Sequence, residues 1–140
     1  MKVGIIGGGR VGSRLAASLR EAGVLVGITA ASEQHSAQLA QQFGVPATDN
    51  AKLWQAADVL LLTVPDRLIG TVAEELAQSV TPAAKVVLHV SGSVGLEPLA
   101  PLAQLGAHVG SLHPLQSFAG GNTKLAGVYM ALDGDSEAQD

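Results

Sequence analysis

Residues 2–12 of the chain read KVGIIGGGRVG, an apolar run that changes abruptly into a glycine-rich turn. The segment Lys2–Ile6 has the apolar, β-branched composition of a buried strand, and Arg10–Ala22 has apolar residues at helical spacing. Between them, three glycines occur at the spacing G-x-G-x-x-G: Gly7, Gly9 and Gly12. The pattern is weak alone, but its position between a strand and a helix is the context that gives it weight.

Each of these glycines has a distinct physical task in a turn that binds a dinucleotide. Gly7 permits the tight turn, Gly9 lets the backbone approach a pyrophosphate, and Gly12 lets the helix pack closely on the sheet. The first N–H groups of the helix, those of Arg10 and Val11, would then face the phosphates. Two alternatives are a tight turn without a ligand and a methyltransferase, in which a shorter G-x-G turn faces adenosylmethionine.

The remaining chain alternates short apolar segments with helix-like ones. The predicted strands are Val24–Thr29, Val45–Ala47, Asp58–Val64, Lys85–Val90, Ala107–Leu112 and Val128–Leu132. The predicted helices include Glu33–Phe43 with Ser32 as N-cap, Ala51–Ala56 capped by Asp49 or Asn50, and Leu96–Gln104. A further helix is predicted to be capped by Asp66, and its apolar face consists of Leu68, Val72, Leu76 and Val80. Gly120–Lys124 is predicted to be a loop. This alternation predicts an α/β fold with a doubly wound, mainly parallel Rossmann sheet over residues 1–134, followed by a polar tail at 135–140.

Composition agrees with this fold and excludes several classes of function. The chain has 140 residues, of which 47% are hydrophobic and only 3% aromatic, so we expect a single core of aliphatic side chains. A net charge of −4 without a Lys/Arg cluster argues against a nucleic-acid partner, and the absence of cysteine excludes disulfides and thiolate metal sites. No apolar run approaches the roughly 18 residues that a membrane span needs, so we expect no membrane partner and a cytoplasmic location.

The end of the second strand bears on the choice between NAD and NADP. An NAD site usually has an acidic residue about 20 residues beyond the turn, and here that position is Ser32, after Ala30 and Ala31. The missing carboxylate admits a 2′-phosphate, to which Ser32 could donate a hydrogen bond. Arg10 and His35 are the nearest candidates to meet such a phosphate. Glu33 remains an alternative that would bind the ribose hydroxyl. The sequence favours NADP, with NAD left open.

The carboxyl ends of the later strands provide further candidates, because ligands of open α/β sheets bind there. Val64 and Pro65 follow the fourth predicted strand and are candidates to line the nicotinamide end, although a strand stop and helix cap would also explain them. Ser91 follows the fifth, where a capped loop is the alternative. His113 ends the sixth strand and is the candidate general acid or base, with a structural role as the alternative. His89 and His108 are interpreted as structural.

Three segments together resemble a known family: VGIIGGGRVGSRLAASLREAG, ADVLLLTVPD and HVSGSVGLEPLAPLAQLGAHVGSLHPLQSFAG. They are similar to Rossmann-like oxidoreductases that carry a helical C-terminal domain of unknown function, related to pyrroline-5-carboxylate reductase, prephenate dehydrogenase and deazaflavin-dependent NADP reductases. The resemblance implies that the glycine turn, with Arg10 and Val11, binds the pyrophosphate and that Val64 and Pro65 line the nicotinamide. It also places His113 near the substrate. The family commonly has an arginine where this chain has Ala31.

The resemblance further implies a helical domain after residue 134 that forms a homodimer and closes the substrate pocket. The chain is therefore expected to be either a piece of a longer protein or a naturally short one, inactive alone. The predicted function is hydride transfer between a nicotinamide cofactor and an unidentified small molecule. The alternative is a non-catalytic nucleotide-binding or sensing module.

Overall fold

The computed structural model describes residues 1–91, 94–112 and 132–134 as a three-layer α/β domain. The strands are β1 (Val3–Ile6), β2 (Leu25–Thr29), β3 (Val59–Leu62), β4 (Val86–His89), β5 (His108–Leu112) and β6 (Leu132–Gly134). The α-helices are α1 (Arg10–Glu21), α2 (Glu33–Phe43), α3 (Asn50–Ala56), α4 (Ile69–Ser79) and α5 (Ala100–Ala103). Two 3₁₀ turns, at Asp66–Leu68 and Glu97–Leu99, precede α4 and α5.

The strands form one sheet in the order β2-β1-β3-β4-β5-β6, which confirms the predicted fold class. The first five strands are parallel, and β6 is antiparallel to β5. From β1 the chain moves outward to β2 and then returns to place β3 on the other side of β1. The strand order therefore changes direction between β1 and β3, which is where open α/β sheets bind ligands.

Each face of the sheet is covered by its own hydrophobic cluster. On one face, Leu15 and Leu19 of α1 and Phe43 of α2 pack with strand residues such as Ile5 and Leu61. The opposite face is covered by α3, α4 and α5, and its fully buried side chains include Leu53, Trp54, Leu60, Leu62, Leu99 and Leu102. Because successive strand residues point to opposite faces, a strand buried on both sides is continuously apolar, as VLLL in β3 is.

Two helices begin or pack differently from the prediction. The helix after Pro65 starts with a 3₁₀ turn, so Asp66 lies within the first turn rather than at an N-cap. Because a 3₁₀ turn winds more tightly than an α-helix, the buried face of α4 is Ile69, Ala73 and Leu76, while Leu68 stays 37% exposed. The predicted helix Leu96–Gln104 is divided into a 3₁₀ turn and a single turn of α-helix, because Pro101 has no N–H to donate to the preceding turn.

The predicted strand Val45–Ala47 is wrong. Gly44 ends α2 in the left-handed conformation at φ 67°, and the N–H of Val45 donates back to the carbonyl of Ala40 at 3.0 Å. The segment is therefore the end of a helix cap and not a member of the sheet. At the other end of the chain, the antiparallel strand begins at Leu132, and Gly120–Lys124 and residues 128–131 lie outside the described residues.

Candidate functional site

A cleft of about 780 Å³ opens at the carboxyl ends of β1 and β3, at the point where the strand order changes direction. We call it the glycine-turn cleft. One side consists of residues 7–11, and the opposite side of Thr63, Val64 and Pro65 after β3. Ala30 and Ala31 line it at the end of β2, and Val90 at the end of β4. The sheet topology thus brings together residues that are far apart in sequence.

Hydrogen bonds from two neighbouring strands hold the glycine turn. The N–H of Gly7 donates to the carbonyl of Thr29 at 2.8 Å, and the hydroxyl of Thr63 donates to the carbonyl of Gly7 at 2.7 Å. Gly7 has φ +124°, a conformation that side chains other than glycine rarely adopt. A Cβ at Gly12 would collide with the carbonyl oxygen of Gly7 and lie 2.6 Å from Oγ1 of Thr63. Packing within the protein therefore requires glycine at both positions.

Gly9 differs, because no contact with the described residues requires it to be glycine. Its φ of −78° and ψ of −167° are open to any residue, and a Cβ built there lies more than 4 Å from every heavy atom of the residues that the structure describes. It lines the glycine-turn cleft and forms the N-cap of α1. A side chain at this position would extend into the open space of the cleft.

The start of α1 presents donors to this cleft. The first intrahelical bond runs from the N–H of Ser13 to the carbonyl of Gly9 at 2.9 Å. The N–H groups of Arg10, Val11 and Gly12 come before that bond and so have no intrahelical acceptor. Arg10 and Val11 are exposed and line the cleft, whereas Gly12 is buried. A helix of 12 residues with open N–H groups beside a cleft is suited to an anionic ligand.

The end of β2 is held in place from α2. The hydroxyl of Ser36 accepts from the N–H of Ala30 at 2.8 Å and lies 3.3 Å from the carbonyl oxygen of the same residue. Ser32 is the N-cap of α2, as predicted, and its Oγ accepts from the N–H of His35 at 3.1 Å. Accepting that bond leaves the hydroxyl proton of Ser32 available to a ligand. His35 and Arg10 both line the glycine-turn cleft, as Ala31 does.

A second cavity, of about 700 Å³, adjoins the cleft between the end of β2 and the start of α3. We call it the β2–α3 recess. Ala30, Ala31 and Asn50 line both cavities. The recess contains Ser32 and Glu33 on one side and residues 47–50 and Lys52 on the other. Thus Ser32 and Glu33, the two side chains considered for reading the ribose, line the same cavity.

Of the residues predicted to bind the cofactor after the later strands, some line the cleft and others do not. Val64 and Pro65 line the glycine-turn cleft, but at the end of β4 the lining residue is Val90 and not Ser91. Ser91 is buried, and its hydroxyl accepts from the N–H of Val94 at 3.1 Å, the bond expected of a capped loop. His113 lies outside the described residues.

His89 has a structural role, as the sequence indicates. Its ring is fully buried, Nδ1 accepts from the N–H of Ser91 at 3.1 Å, and Nε2 lies 2.8 Å from the carbonyl oxygen of Gly95. With Nδ1 accepting, the proton is on Nε2 and is donated to that carbonyl. Both ring nitrogens are therefore used to hold the loop after β4.

Sequence reasoning did not identify three contributors: Thr63, Ser36 and Gly8. Thr63 was counted as a residue of a buried strand, although a hydroxyl at the end of an apolar run signals a local hydrogen bond. A Cβ at Gly8 would lie 2.5 Å from Cδ1 of Leu39 in α2, so this glycine allows α2 to pack against the turn. Its need depends on a contact 31 residues away, which spacing alone does not show.

The described part of the chain has neither a group of metal-ligating side chains nor a membrane-spanning helix. Within it, no three His, Asp or Glu residues are grouped so that they could hold a metal ion. No helix there is long and apolar enough to cross a bilayer.

Residues 1–114 match the family described as Rossmann-like domain. A D-apionate oxidoisomerase from Cupriavidus necator is 30% identical over 87 residues, which are 61% of this chain and 32% of that protein. Three solved structures have the same fold. Arogenate dehydrogenase from Synechocystis is 28% identical, with a TM-score of 0.65 over 81% of this chain and 41% of its own.

The other two structures are more distant in sequence. Pyrroline-5-carboxylate reductase from Streptococcus pyogenes is 22% identical, with a TM-score of 0.70 over 99% of this chain and 52% of its own. A reductive aminase from Aspergillus terreus in complex with NADPH and ethyl levulinate is 17% identical, with a TM-score of 0.65 over 80% of this chain and 40% of its own. The chain spans about a third to a half of the length of these proteins. The family match and these neighbours confirm the resemblance to Rossmann-like oxidoreductases that the sequence predicts.

Proposed function

The chain belongs to the Rossmann-like domain family, and on that premise we propose that it binds a nicotinamide dinucleotide in the glycine-turn cleft. The pyrophosphate would lie against residues 7–12, accepting hydrogen bonds from the N–H groups of Arg10 and Val11. Val64 and Pro65 would line the nicotinamide end. Ser32 would face the ribose at the adenosine end.

The observation that carries this proposal is the open space at Gly9. Gly7 and Gly12 are explained by conformation and packing, so they would be needed in an empty turn as well. Neither conformation nor packing against the described residues requires glycine at position 9. Gly9 is the N-cap of α1, where a Cβ would lie between the backbone and a bound phosphate. A turn without a ligand would tolerate any side chain there.

NADP is the proposed form of the cofactor. The residues after β2 are Thr29, Ala30, Ala31 and Ser32, and none of them has a carboxylate that would repel a 2′-phosphate. Glu33 lines the β2–α3 recess from the first turn of α2 and favours a ribose hydroxyl instead. The balance between these groups determines the preference, and the outcome we expect is tighter binding of NADPH than of NADH.

The proposed activity is hydride transfer between this cofactor and a small molecule, in which the protein binds and orients the nicotinamide. Its support is the kind of protein that the chain is similar to: a dehydrogenase, two reductive enzymes and an oxidoisomerase. Residues 1–134 are proposed to be the cofactor domain, with the substrate bound by a helical domain after them. His113 is the proposed acid or base, and Val90 takes the place at the end of β4 that the sequence assigned to Ser91.

Calorimetric titration of the chain with NADPH, NADH and S-adenosylmethionine tests the proposal. We expect binding of both nicotinamide dinucleotides, with NADPH the tighter, and none of S-adenosylmethionine. Binding of S-adenosylmethionine alone would identify the turn as that of a methyltransferase, and binding of none of the three would reject the nucleotide function. In NMR spectra of the same titration, the imidazole signals of His113 should shift on addition of NADP, and unchanged signals would reject its place in the site.

A further inference from the structure

The β2–α3 recess contains a cation that the sequence does not reveal as a site residue. Lys52 lies in the first turn of α3, on the side of the recess opposite Ser32. It is exposed, and its ammonium group has no hydrogen bond or ion pair among the described residues. Lys85 provides a contrast, because its Nζ donates to the carbonyl of Ala57 at 2.7 Å and so has a structural task.

The recess is continuous with the place where the adenosine ribose would lie. Asn50 and the two alanines after β2 line both the recess and the glycine-turn cleft. Asn50 is held there, since its Oδ1 accepts from the hydroxyl of Thr29 at 2.5 Å. Because Ala31 lines both cavities, a ribose that packs against it would lie at the boundary between the cleft and the recess. A group of phosphate size fits a cavity of about 700 Å³.

The charges that line the recess are Lys52, Glu33 and Asp49. Asp49 is engaged at the start of α3, where its Oδ1 accepts from the backbone N–H of Lys52 at 2.8 Å. Glu33 lies in the first turn of α2. Arg10 and His35 line the glycine-turn cleft but not the recess. Lys52 is thus the cation that lines this cavity, and Glu33 is the charge that opposes it.

We infer that Lys52 supplies the positive charge that recognises a phosphate on the adenosine ribose, so that selectivity for NADP(H) comes from α3 instead of from the end of β2. The inference rests on the proposed function. Ala31 provides no charge at the end of β2, and a lysine reaching across from α3 takes that role. A lysine ammonium binds a phosphate as a point charge, which needs no fixed geometry and suits an exposed side chain.

The test compares the 140-residue chain with Lys52→Met, Lys52→Arg and the control Lys2→Met. Lys2 precedes β1 at the amino ends of the parallel strands, whereas the recess lies beyond the carboxyl end of β2, so its replacement removes the same charge far from the recess. Each protein is titrated with NADPH, NADH, adenosine 2′,5′-bisphosphate and adenosine 5′-phosphate. Circular dichroism melting confirms that each variant is folded.

We expect Lys52→Met to weaken NADPH and adenosine 2′,5′-bisphosphate about tenfold, as loss of one charge-assisted contact does, and to leave NADH and adenosine 5′-phosphate within twofold. Lys52→Arg should retain the wild-type preference, and Lys2→Met should change nothing. Equal weakening of all four ligands, or no weakening of any, would overturn the role of Lys52 while leaving dinucleotide binding in place. If the unmodified chain binds neither dinucleotide, the proposed function and this inference fall together.

Discussion

Thr63 contributes a hydroxyl that lies at the centre of the glycine turn. It donates to the carbonyl of Gly7 at 2.7 Å and also lies 3.4 Å from the carbonyl oxygen of Ile6. The hydroxyl oxygen of Thr63 would be 2.6 Å from a Cβ at Gly12, so the hydroxyl occupies the space that a side chain at Gly12 would need. Thr63 is a positioning residue, since it acts on a ligand through the backbone that it holds.

Replacing Thr63 with valine keeps the shape of the side chain and removes the donor. We expect the free energy of unfolding to fall by about 1–3 kcal/mol, because the carbonyl of Gly7 loses its partner in a buried setting. Affinity for NADPH should fall severalfold as the turn loosens. Thr81→Val is the matched control, since Thr81 is exposed and far from the turn. Chemical denaturation and calorimetry measure both effects, and an unchanged stability would show that the hydroxyl contributes nothing to the turn.

At the scale of single residues, sequence reasoning identified the glycines by pattern but not the groups that support them. Gly7 is explained by its positive φ, and the pattern predicts that conformation. Thr63 acts through a hydrogen bond to Gly7, 56 positions away, which becomes visible only when β1 and β3 are placed side by side. Ser36 bonds to Ala30, 6 positions away, which depends on how α2 folds back on the end of β2. Ser91 was proposed from its position after a strand, whereas the fold directs its hydroxyl to its own loop.

At the scale of elements, the hydroxyl of Ser36 joins α2 to the end of β2, and the residue is buried, with 7% of its surface exposed. By accepting from the N–H of Ala30, it satisfies a backbone group just beyond the last residue of the strand. The segment that it holds, Ala30–Ala31, lies between the glycine-turn cleft and the β2–α3 recess. The helix therefore determines the course of the chain where the cofactor's ribose would lie.

Ser36→Ala should lower the free energy of unfolding by about 1–2 kcal/mol, because the N–H of Ala30 is left without its acceptor. It should also weaken NADPH binding, since the adenosine end of the site becomes less well ordered. Ser79→Ala is the control: Ser79 donates to the carbonyl of Glu75 within its own exposed helix turn and should change stability by less than about 0.5 kcal/mol. Equal effects of the two substitutions in urea denaturation would contradict the coupling of α2 to β2.

Element prediction succeeded where one face of a long segment is apolar and where capping residues are present. Glu33–Phe43 was predicted with the observed bounds, because Ser32 begins it and Gly44 ends it. The errors lie at short segments near proline or a helix end, such as Val45–Ala47, where local hydrogen bonds outweigh composition. The buried face of α4 was predicted correctly at Leu76 but lies one position later than predicted at Ile69 and Ala73, because a 3₁₀ turn is not visible in a periodicity of 3.6 residues.

At the scale of the whole molecule, the reversal of strand order between β1 and β3 decides where a ligand binds. The two strands diverge in their connections at this point, one leading through the glycine turn to α1 and the other through Pro65 to α4. A cavity of about 780 Å³ is left between these connections. The fold class was predictable because continuous apolar strands alternate with amphipathic helices. The β2–α3 recess was not predictable, because it depends on how the connection before α3 passes the end of β2.

If the space at Gly9 accommodates a pyrophosphate, a side chain placed there should block the ligand, and Gly9→Val is the most direct test. Since no atom of the described residues lies within 4 Å of a Cβ there, the variant should remain folded, with a change of about 1 kcal/mol or less in the free energy of unfolding. Gly12→Ala provides the contrast, because its Cβ collides with the turn and should lower stability by itself.

The deciding measurement is the calorimetric affinity of Gly9→Val for NADPH, made alongside its melting curve. We predict a melting temperature close to that of the unmodified chain and no detectable binding of NADPH. A folded Gly9→Val variant that binds NADPH as tightly as the unmodified chain would contradict the account.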